Sequence, residues 1–283
     1  MKSVGIIGSG RWGRNIARSF SKKRNVKRVV SAGNELNLEK IRTILPNIIF
    51  SSIDDLLGDD EIDCIVIAVP IDDLPDIAVQ CLEHNKHILL EKPAAASVPD
   101  IERIECARDN KVCLVNYLYL ADPAYMSFKH ALTTTKIQKA SFVWKKWGSF
   151  DNDILLNLAS HELSILFDSL GTPDLHEKSL VSSSISDDAC ILSFSMGEVE
   201  AVIDIDRKSK TRHKTVVYET ENGLYMWTPG FFAHDEVEVS SNAANNLLDI
   251  QRDNFLSLVD NNMDYNNLDL SKKILKFIDG VRQ

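Results

Sequence analysis

The chain has 283 residues, long enough for two domains of ordinary size, and its 44% hydrophobic and 26% charged residues are a globular mix rather than a disordered one. Lys plus Arg total 32 against 41 Asp plus Glu, and the net charge of −9 repels phosphate backbones, which excludes nucleic acid as the main partner. No apolar run reaches the ~20 residues of a membrane span.

Met1-Lys2-Ser3 leads directly into an apolar segment and leaves no room for a signal peptide, so a cytoplasmic protein is expected. Cys64, Cys81, Cys106, Cys113 and Cys190 form no C-x-x-C pair and read as small buried hydrophobes in a reducing compartment. The basic runs Lys22-Lys23-Arg24 and Lys27-Arg28 are short and read as solvated surface.

The first half alternates strand and helix. Val4–Ile7 is a short strand, followed by helical spacing over Trp12–Phe20 with Trp12, Ile16, Ala17 and Phe20 on one face. Val26–Ala32 is a second strand, Leu38 to Leu45 a helix that Pro46 ends, and Ile48–Phe50 a third strand. Ile62–Val69, apolar almost throughout, fits a central parallel strand covered on both faces. A helix near Asp76–His84 and a strand at His87–Leu90 follow. The helix Pro99–Asn110, with Ile101, Ile104, Cys106 and Ala107 inward, precedes a sixth strand at Val112–Val115. Strict alternation predicts a doubly wound parallel sheet, since parallel strands need crossover connections.

Within the first strand–helix unit, Gly8-Ser9-Gly10-Arg11-Trp12-Gly13 reads G-x-G-x-x-G. Gly8 permits a tight turn, Gly10 lets a pyrophosphate approach the backbone, and Gly13 lets the helix pack closely. Arg11 and Trp12 open the helix, whose free N–H groups and positive end suit phosphate. The motif implies a Rossmann fold that binds NAD or NADP. The second strand ends in Ser31-Ala32-Gly33-Asn34-Glu35, with no carboxylate at the tip for a ribose 2′-hydroxyl and no clear arginine for a 2′-phosphate. Ser31 and Asn34 are the hydrogen-bonding candidates there. The choice of cofactor stays open, with the balance toward NADP. Val69-Pro70 at the end of the fourth strand complete this edge, together with Glu91-Lys92-Pro93 after the fifth.

Past Asp122-Pro123 the pattern changes. A helix near Ala124–Leu132 leads into an alternating strand ending at Trp144-Lys145-Lys146-Trp147. A helix over Asp153–Leu170 stops at Gly171-Thr172-Pro173. Strands at Ser179–Ile185, Cys190–Ser195, Val199–Ile205, Thr215–Thr220 and Leu224–Trp227 then follow without helices between them. Helices near Ala243–Val259 and Leu270–Ile278 close the chain. The expected fold class is α/β. A Rossmann domain over 1–120 is followed by an α+β domain over 121–283 with an open, mainly antiparallel sheet.

A lysine at the C-terminal edge of an open sheet, partly desolvated, suits general acid–base work. Lys92 holds that place. The glycine fingerprint, Glu91-Lys92-Pro93 some 80 residues on, Asn116-Tyr117-Leu118-Tyr119 before Asp122-Pro123-Ala124, and Leu268-Asp269-Leu270-Ser271-Lys272-Lys273 together resemble the glucose–fructose oxidoreductase, inositol dehydrogenase and rhizopine-catabolism (Gfo/Idh/MocA) family. The resemblance implies that Lys92 contacts the substrate hydroxyl and the nicotinamide, and that Pro93 often follows a cis bond. It also implies an aspartate and a histidine four residues apart on the first long helix of the second domain. The matching stretch here is Asn157-Leu158-Ala159-Ser160-His161. His161 fits the family histidine. Asn157 replaces the aspartate, and it hydrogen-bonds a hydroxyl without serving as a base.

Tyr119, Trp144, Trp147 and Trp227 are candidates to line a sugar site, with Tyr119 and Trp147 foremost. Gly148-Ser149-Phe150-Asp151-Asn152 is short for the family's covering loop, which suits a large substrate or closure by another subunit. The other six histidines lack ligand-like spacing, and no metal is expected. The expected activity is hydride transfer between the nicotinamide and a carbinol or carbonyl carbon of a sugar, nucleotide-sugar or cyclic polyol. A non-catalytic dinucleotide-binding regulator and an imine or tetrapyrrole reductase are the alternatives. The expected partners are a small-molecule substrate and further copies of the chain, a dimer or tetramer through the C-terminal sheet.

Overall fold

The computed structural model describes residues 2–148, 153–170, 178–241 and 246–282. Residues 149–152 of the short segment and the helix stop at Gly171-Thr172-Pro173 lie outside them. The chain divides into two units. One comprises residues 1–116 and 248–272, the other residues 117–247 and 273–283. The sequence carries no signal of the return of 248–272 to the first unit, because an amphipathic helix does not record which core it covers.

The first unit alternates as its apolar pattern dictates. It runs β1 (Ser3–Ile7), α1 (Arg11–Phe20), β2 (Val26–Val30), α2 (Glu35–Ile44), β3 (Ile49–Phe50), α3 (Ile53–Leu57), β4 (Ile62–Ile67), α4 (Leu74–Glu83), β5 (His87–Leu90), α5 (Val98–Ala107) and β6 (Cys113–Val115). The sheet order is β3-β2-β1-β4-β5-β6, all parallel, as in a dinucleotide-binding Rossmann sheet. Cys64, Ile65, Val66 and Ile67 of β4 are all fully buried, as the unbroken apolar run requires. The short α3 escapes the sequence reading. Ser52 and Asp55 form a capping box around five residues that bury Leu56 and Leu57.

Three sequence expectations are corrected in this unit. Trp12 is 41% exposed, because the helix seats Gly13 on the sheet and Trp12 lies about 100° further round. Cys106 is exposed as well, being about 200° from the buried Ile104. Arg24 is buried rather than solvated, and pairs with Asp63 and Asp260. Asp260 belongs to a helix near the end of the chain, Leu247–Asp260, which also sets Phe255 against Phe20 at 6.4 Å and Arg252 Nη1 on the Ser19 carbonyl at 2.7 Å.

The second unit begins with a 3-10 turn, Leu118–Ala121, and α6 (Pro123–Leu132). β7 (Ile137–Trp147) follows, then a π-helical turn at Leu155–Ala159 that runs into α7 (Ser160–Leu170). Next come β8 (Lys178–Ile185), β9 (Ala189–Met196), β10 (Val199–Asp206), β11 (Lys208–Thr220), β12 (Gly223–Thr228), β13 (Phe231–His234) and β14 (Val237–Ser241). The helix Leu247–Asp260 is α8, and α9 (Leu268–Arg282) ends the described chain. The sheet order is β14-β13-β12-β11-β7-β10-β9-β8. Its pairings are antiparallel except β7 with β10, which lie parallel. Asp122, fully buried, ties this unit together. Its carboxylate accepts from the Ala124 N–H at 2.9 Å, the Gly230 N–H at 2.7 Å and Trp227 Nε1 at 3.2 Å. Trp227 is therefore core, not the sugar-facing aromatic its sequence context suggested.

Candidate active site

In the first unit the C-terminal edge of the sheet is drawn by one line of backbone hydrogen bonds. Gly8 N–H donates to the Val30 carbonyl (2.9 Å), Ala68 N–H to Ile7 (2.8 Å), Glu91 N–H to Ile67 (2.9 Å) and Asn116 N–H to Leu90 (2.8 Å). The register thus brings the glycine loop and Glu91-Lys92-Pro93 to the same edge, where open α/β sheets bind ligands.

The three glycines of the loop differ in what a side chain would meet. A Cβ on Gly8 would stand 2.1 Å from the Ala68 carbonyl oxygen, at a φ of +112° that only glycine takes comfortably. A Cβ on Gly13 would stand 2.0 Å from the Gly8 carbonyl oxygen. Around Gly10 a Cβ meets nothing within 4 Å. Gly10 also caps α1 without a side chain, so the first-turn N–H groups are not taken by a capping oxygen. Open space over a helix N-terminus fits a pyrophosphate.

At the tip of β2, Ser31 Oγ and Ser9 Oγ share a hydrogen bond of 2.6 Å. Asn34 caps α2, accepting from the Asn37 N–H at 3.1 Å, and Glu35 simply opens that helix. Arg14, which the sequence reading passed over, reaches this corner. Its Nη1 donates to Asn37 Oδ1 at 2.6 Å and to the Ser9 carbonyl at 3.3 Å. Its position four residues after Gly10, on the turn facing the loop, is the one signal the sequence offers. Arg11 is exposed, Val69 half-buried and Pro70 exposed.

The Lys92–Pro93 peptide is cis. Beside it Glu91 Oε1 accepts from Asn116 Nδ2 at 2.8 Å. Burial raises the Glu91 carboxyl above the ordinary carboxylate range, and Asn116 and Lys92 oppose that shift. Among the described residues no group of three or more His, Cys, Asp or Glu side chains is placed to hold a metal.

In the second unit His161 stands in the first turn of α7, directly after the π-helical turn that carries Asn157. The Ser160 N–H reaches back to the Leu155 carbonyl, the five-residue spacing of a π turn, where the sequence predicted uninterrupted α-helix. The His161 ring meets Tyr119 at 5.4 Å and Trp144 at 5.2 Å between centroids, both edge-on, and Tyr119 meets Trp144 at 6.1 Å. Trp147 does not join them. It is 66% exposed, and a strand with period two turns residue 147 to the face opposite residue 144. Trp144 takes the place expected of Trp147.

Beneath the rings lies an ion pair between residues that no motif connects. Lys214 of β11 donates to Glu162 Oε1, and both side chains are buried. Lys214 Nζ stands 4.1 Å from the Trp144 ring centre and 4.5 Å from that of Tyr119. Burial lowers the Lys214 ammonium and raises the Glu162 carboxyl, in each case against the pull of the partner.

Residues 2–117 match the model of the oxidoreductase family GFO_IDH_MocA, NAD-binding Rossmann fold. Over that span the chain is similar to the Gfo/Idh/MocA oxidoreductases. It is 36% identical over 86 residues to inositol 2-dehydrogenase 1 of Saccharopolyspora erythraea, a match covering 29% of this chain and 26% of that protein. The curated relatives it matches are covered over 26–30% of their own length. The fold likeness runs through both units. The structure of UDP-N-acetylglucosamine 3-dehydrogenase from Acidithiobacillus ferrooxidans superposes with a TM-score of 0.84 at 17% identity, covering 99% of this chain and 96% of that one. Solved structures of this fold include complexes with NADH and with NADP+.

Proposed function

We propose that the chain is an NAD(P)-dependent oxidoreductase moving a hydride between the nicotinamide and a carbinol or carbonyl carbon of a sugar, nucleotide-sugar or cyclic polyol. The observation that carries this reading is the shared sheet edge, which lines up an open phosphate cradle at Gly10 with a lysine after β5. The cradle would hold the pyrophosphate on the N–H groups of Arg11, Trp12 and Gly13. The bound cofactor supplies the hydride chemistry. Lys92 and His161 handle the hydroxyl proton, and Asn157 orients the substrate as a neutral donor and acceptor. The aromatic shelf of Tyr119 and Trp144 suits packing against sugar C–H groups. Transfer of deuterium from the nicotinamide to a panel of sugars and nucleotide-sugars tests the reading.

NADP is the proposed cofactor. No carboxylate stands at the β2 tip to repel a 2′-phosphate, and the Arg14 guanidinium is held there by Asn37 and Ser9. Arg14→Ala weakens NADPH binding about tenfold or more, the scale of one charged hydrogen bond, and barely alters NADH. Calorimetry with both cofactors checks this; equal losses for the two would remove Arg14 from the 2′-phosphate.

A cytoplasmic, homo-oligomeric protein completes the proposal. The five cysteines are free, and four of them are buried. No helix among the described residues is long and apolar enough to cross a membrane. Trp147, Ile191 and Leu224, on the side of the large sheet away from its buried residues, are 66%, 45% and 50% exposed, an apolar surface suited to a second copy. Light scattering at micromolar concentration gives a dimer or tetramer; a monomer mass removes this part.

A further inference from the structure

His161 and Glu162 are neighbours in α7, and the His161 ring and the lysine partner of Glu162 meet the same two rings. The His161 ring meets Tyr119 and Trp144 in T-shaped contacts, and Lys214, the partner of Glu162, stands over both of those rings. Glu162 is 1% exposed, and its Oε2 has no hydrogen-bond partner. Desolvating two opposite charges seldom repays its cost in stability, so such a pair is better explained by what it holds in place. Here it ties the first turn of α7 to β11, at the residue next to His161.

We propose that Glu162 and Lys214 are positioning residues for His161, fixing its ring on the Tyr119–Trp144 shelf and balancing the charge beside it. The inference rests on the reading that His161 handles the substrate proton. Asn157 brings no charge to that turn. The buried carboxylate one residue beyond His161, matched by a lysine from the facing strand, keeps the surroundings of the imidazole neutral. An unmatched ammonium there would favour the uncharged ring, and an unmatched carboxylate the imidazolium. Among the described residues, further charges at the shelf are Lys146 of β7, its Nζ 5.4 Å from the Trp144 ring centre, and Arg212 of β11, whose charge acts on Tyr119. Both stay in place in the variants below.

The test is the titration of His161 in the whole, substrate-free protein, read from its imidazole Cε1–H resonance and assigned by its loss in His161→Gln. Glu162→Gln strands the Lys214 charge and lowers the His161 pKa by about half a unit or more. Glu162→Gln with Lys214→Met removes both charges and restores the titration toward wild type. Lys214→Arg keeps the charge and leaves it within about 0.2 units. A purely structural role shifts the single and double variants alike, and that result, or no shift in either, overturns the proposal. If Glu162→Gln does not fold, Lys214→Met carries the test with the opposite sign. A raised His161 pKa supports the proposal and an unchanged one defeats it. Because no substrate is present, a failed hydride-transfer panel leaves this titration standing, and a failed titration leaves the oxidoreductase reading untouched.

Discussion

Replacing Lys92 by alanine lowers single-turnover hydride transfer by about 100-fold or more, the scale of losing a general acid–base group, and leaves NADPH affinity within a few-fold. The lysine stands just beyond the bonded edge of the sheet, after Glu91, whose backbone is held by Ile67 and whose carboxyl is held by Asn116. Removing its side chain therefore leaves the edge and the glycine cradle intact. His161→Ala also slows transfer, by a smaller factor, because Lys92 still reaches the hydroxyl in the proposed mechanism. A non-catalytic regulator on the same fold gives a different pattern: no transfer in the wild type, and a Lys92→Ala protein that differs from it in nothing. Transfer at the wild-type rate in Lys92→Ala would put the chemistry on another residue.

Gly10→Val abolishes dinucleotide binding, lowering affinity about 100-fold or more, in a protein that unfolds at the wild-type temperature. A Cβ at Gly10 meets nothing within 4 Å in the protein itself, so the fold tolerates it, and the added side chain fills the space assigned to the pyrophosphate. Gly13→Ala behaves in the reverse way. Its Cβ would stand 2.0 Å from a backbone oxygen of Gly8, so α1 must shift off the sheet and stability falls. Calorimetric binding and thermal unfolding of the two variants separate these effects. Undiminished NADPH and NADH affinity in folded Gly10→Val contradicts the placement of the cradle.

What the sequence revealed depends on how local each feature is. The glycine loop and Glu91-Lys92-Pro93 are contiguous runs at strand ends, so the motif and its strand context lie together on the page. The six parallel strands were legible because buried parallel strands are continuous apolar blocks. The parity of residues 144 and 147 was legible too: two tryptophans three apart on a strand must take opposite faces, yet which one turns toward His161 depends on the register of β7 against its neighbours. Glu162 and Lys214 are 52 residues apart on a helix and a strand, and neither stands out in the period of its own element. Arg14 and Asn37 meet only because α1 and α2 begin at the same corner. The π turn at Leu155–Ala159 was hidden because apolar spacing does not distinguish it from an α-helical turn. β13 follows the Pro229-Gly230 turn and β14 the Asp235-Glu236 turn, and both strands are short, so their alternation was too brief to read.

The central claim is that a nicotinamide bound in the first unit exchanges hydride with a hydroxylated or carbonyl carbon. The most direct measurement supplies wild-type protein with NADPH carrying deuterium at the nicotinamide C4. The products of a panel of keto-sugars, oxidised nucleotide-sugars and oxidised polyols are then examined by mass spectrometry. The account predicts one deuterium on a carbinol carbon of at least one product, and loss of that label in Lys92→Ala. Tight NADPH binding with no label in any product, and the label instead in a compound reduced at an imine or a pyrrole bridge, would contradict it.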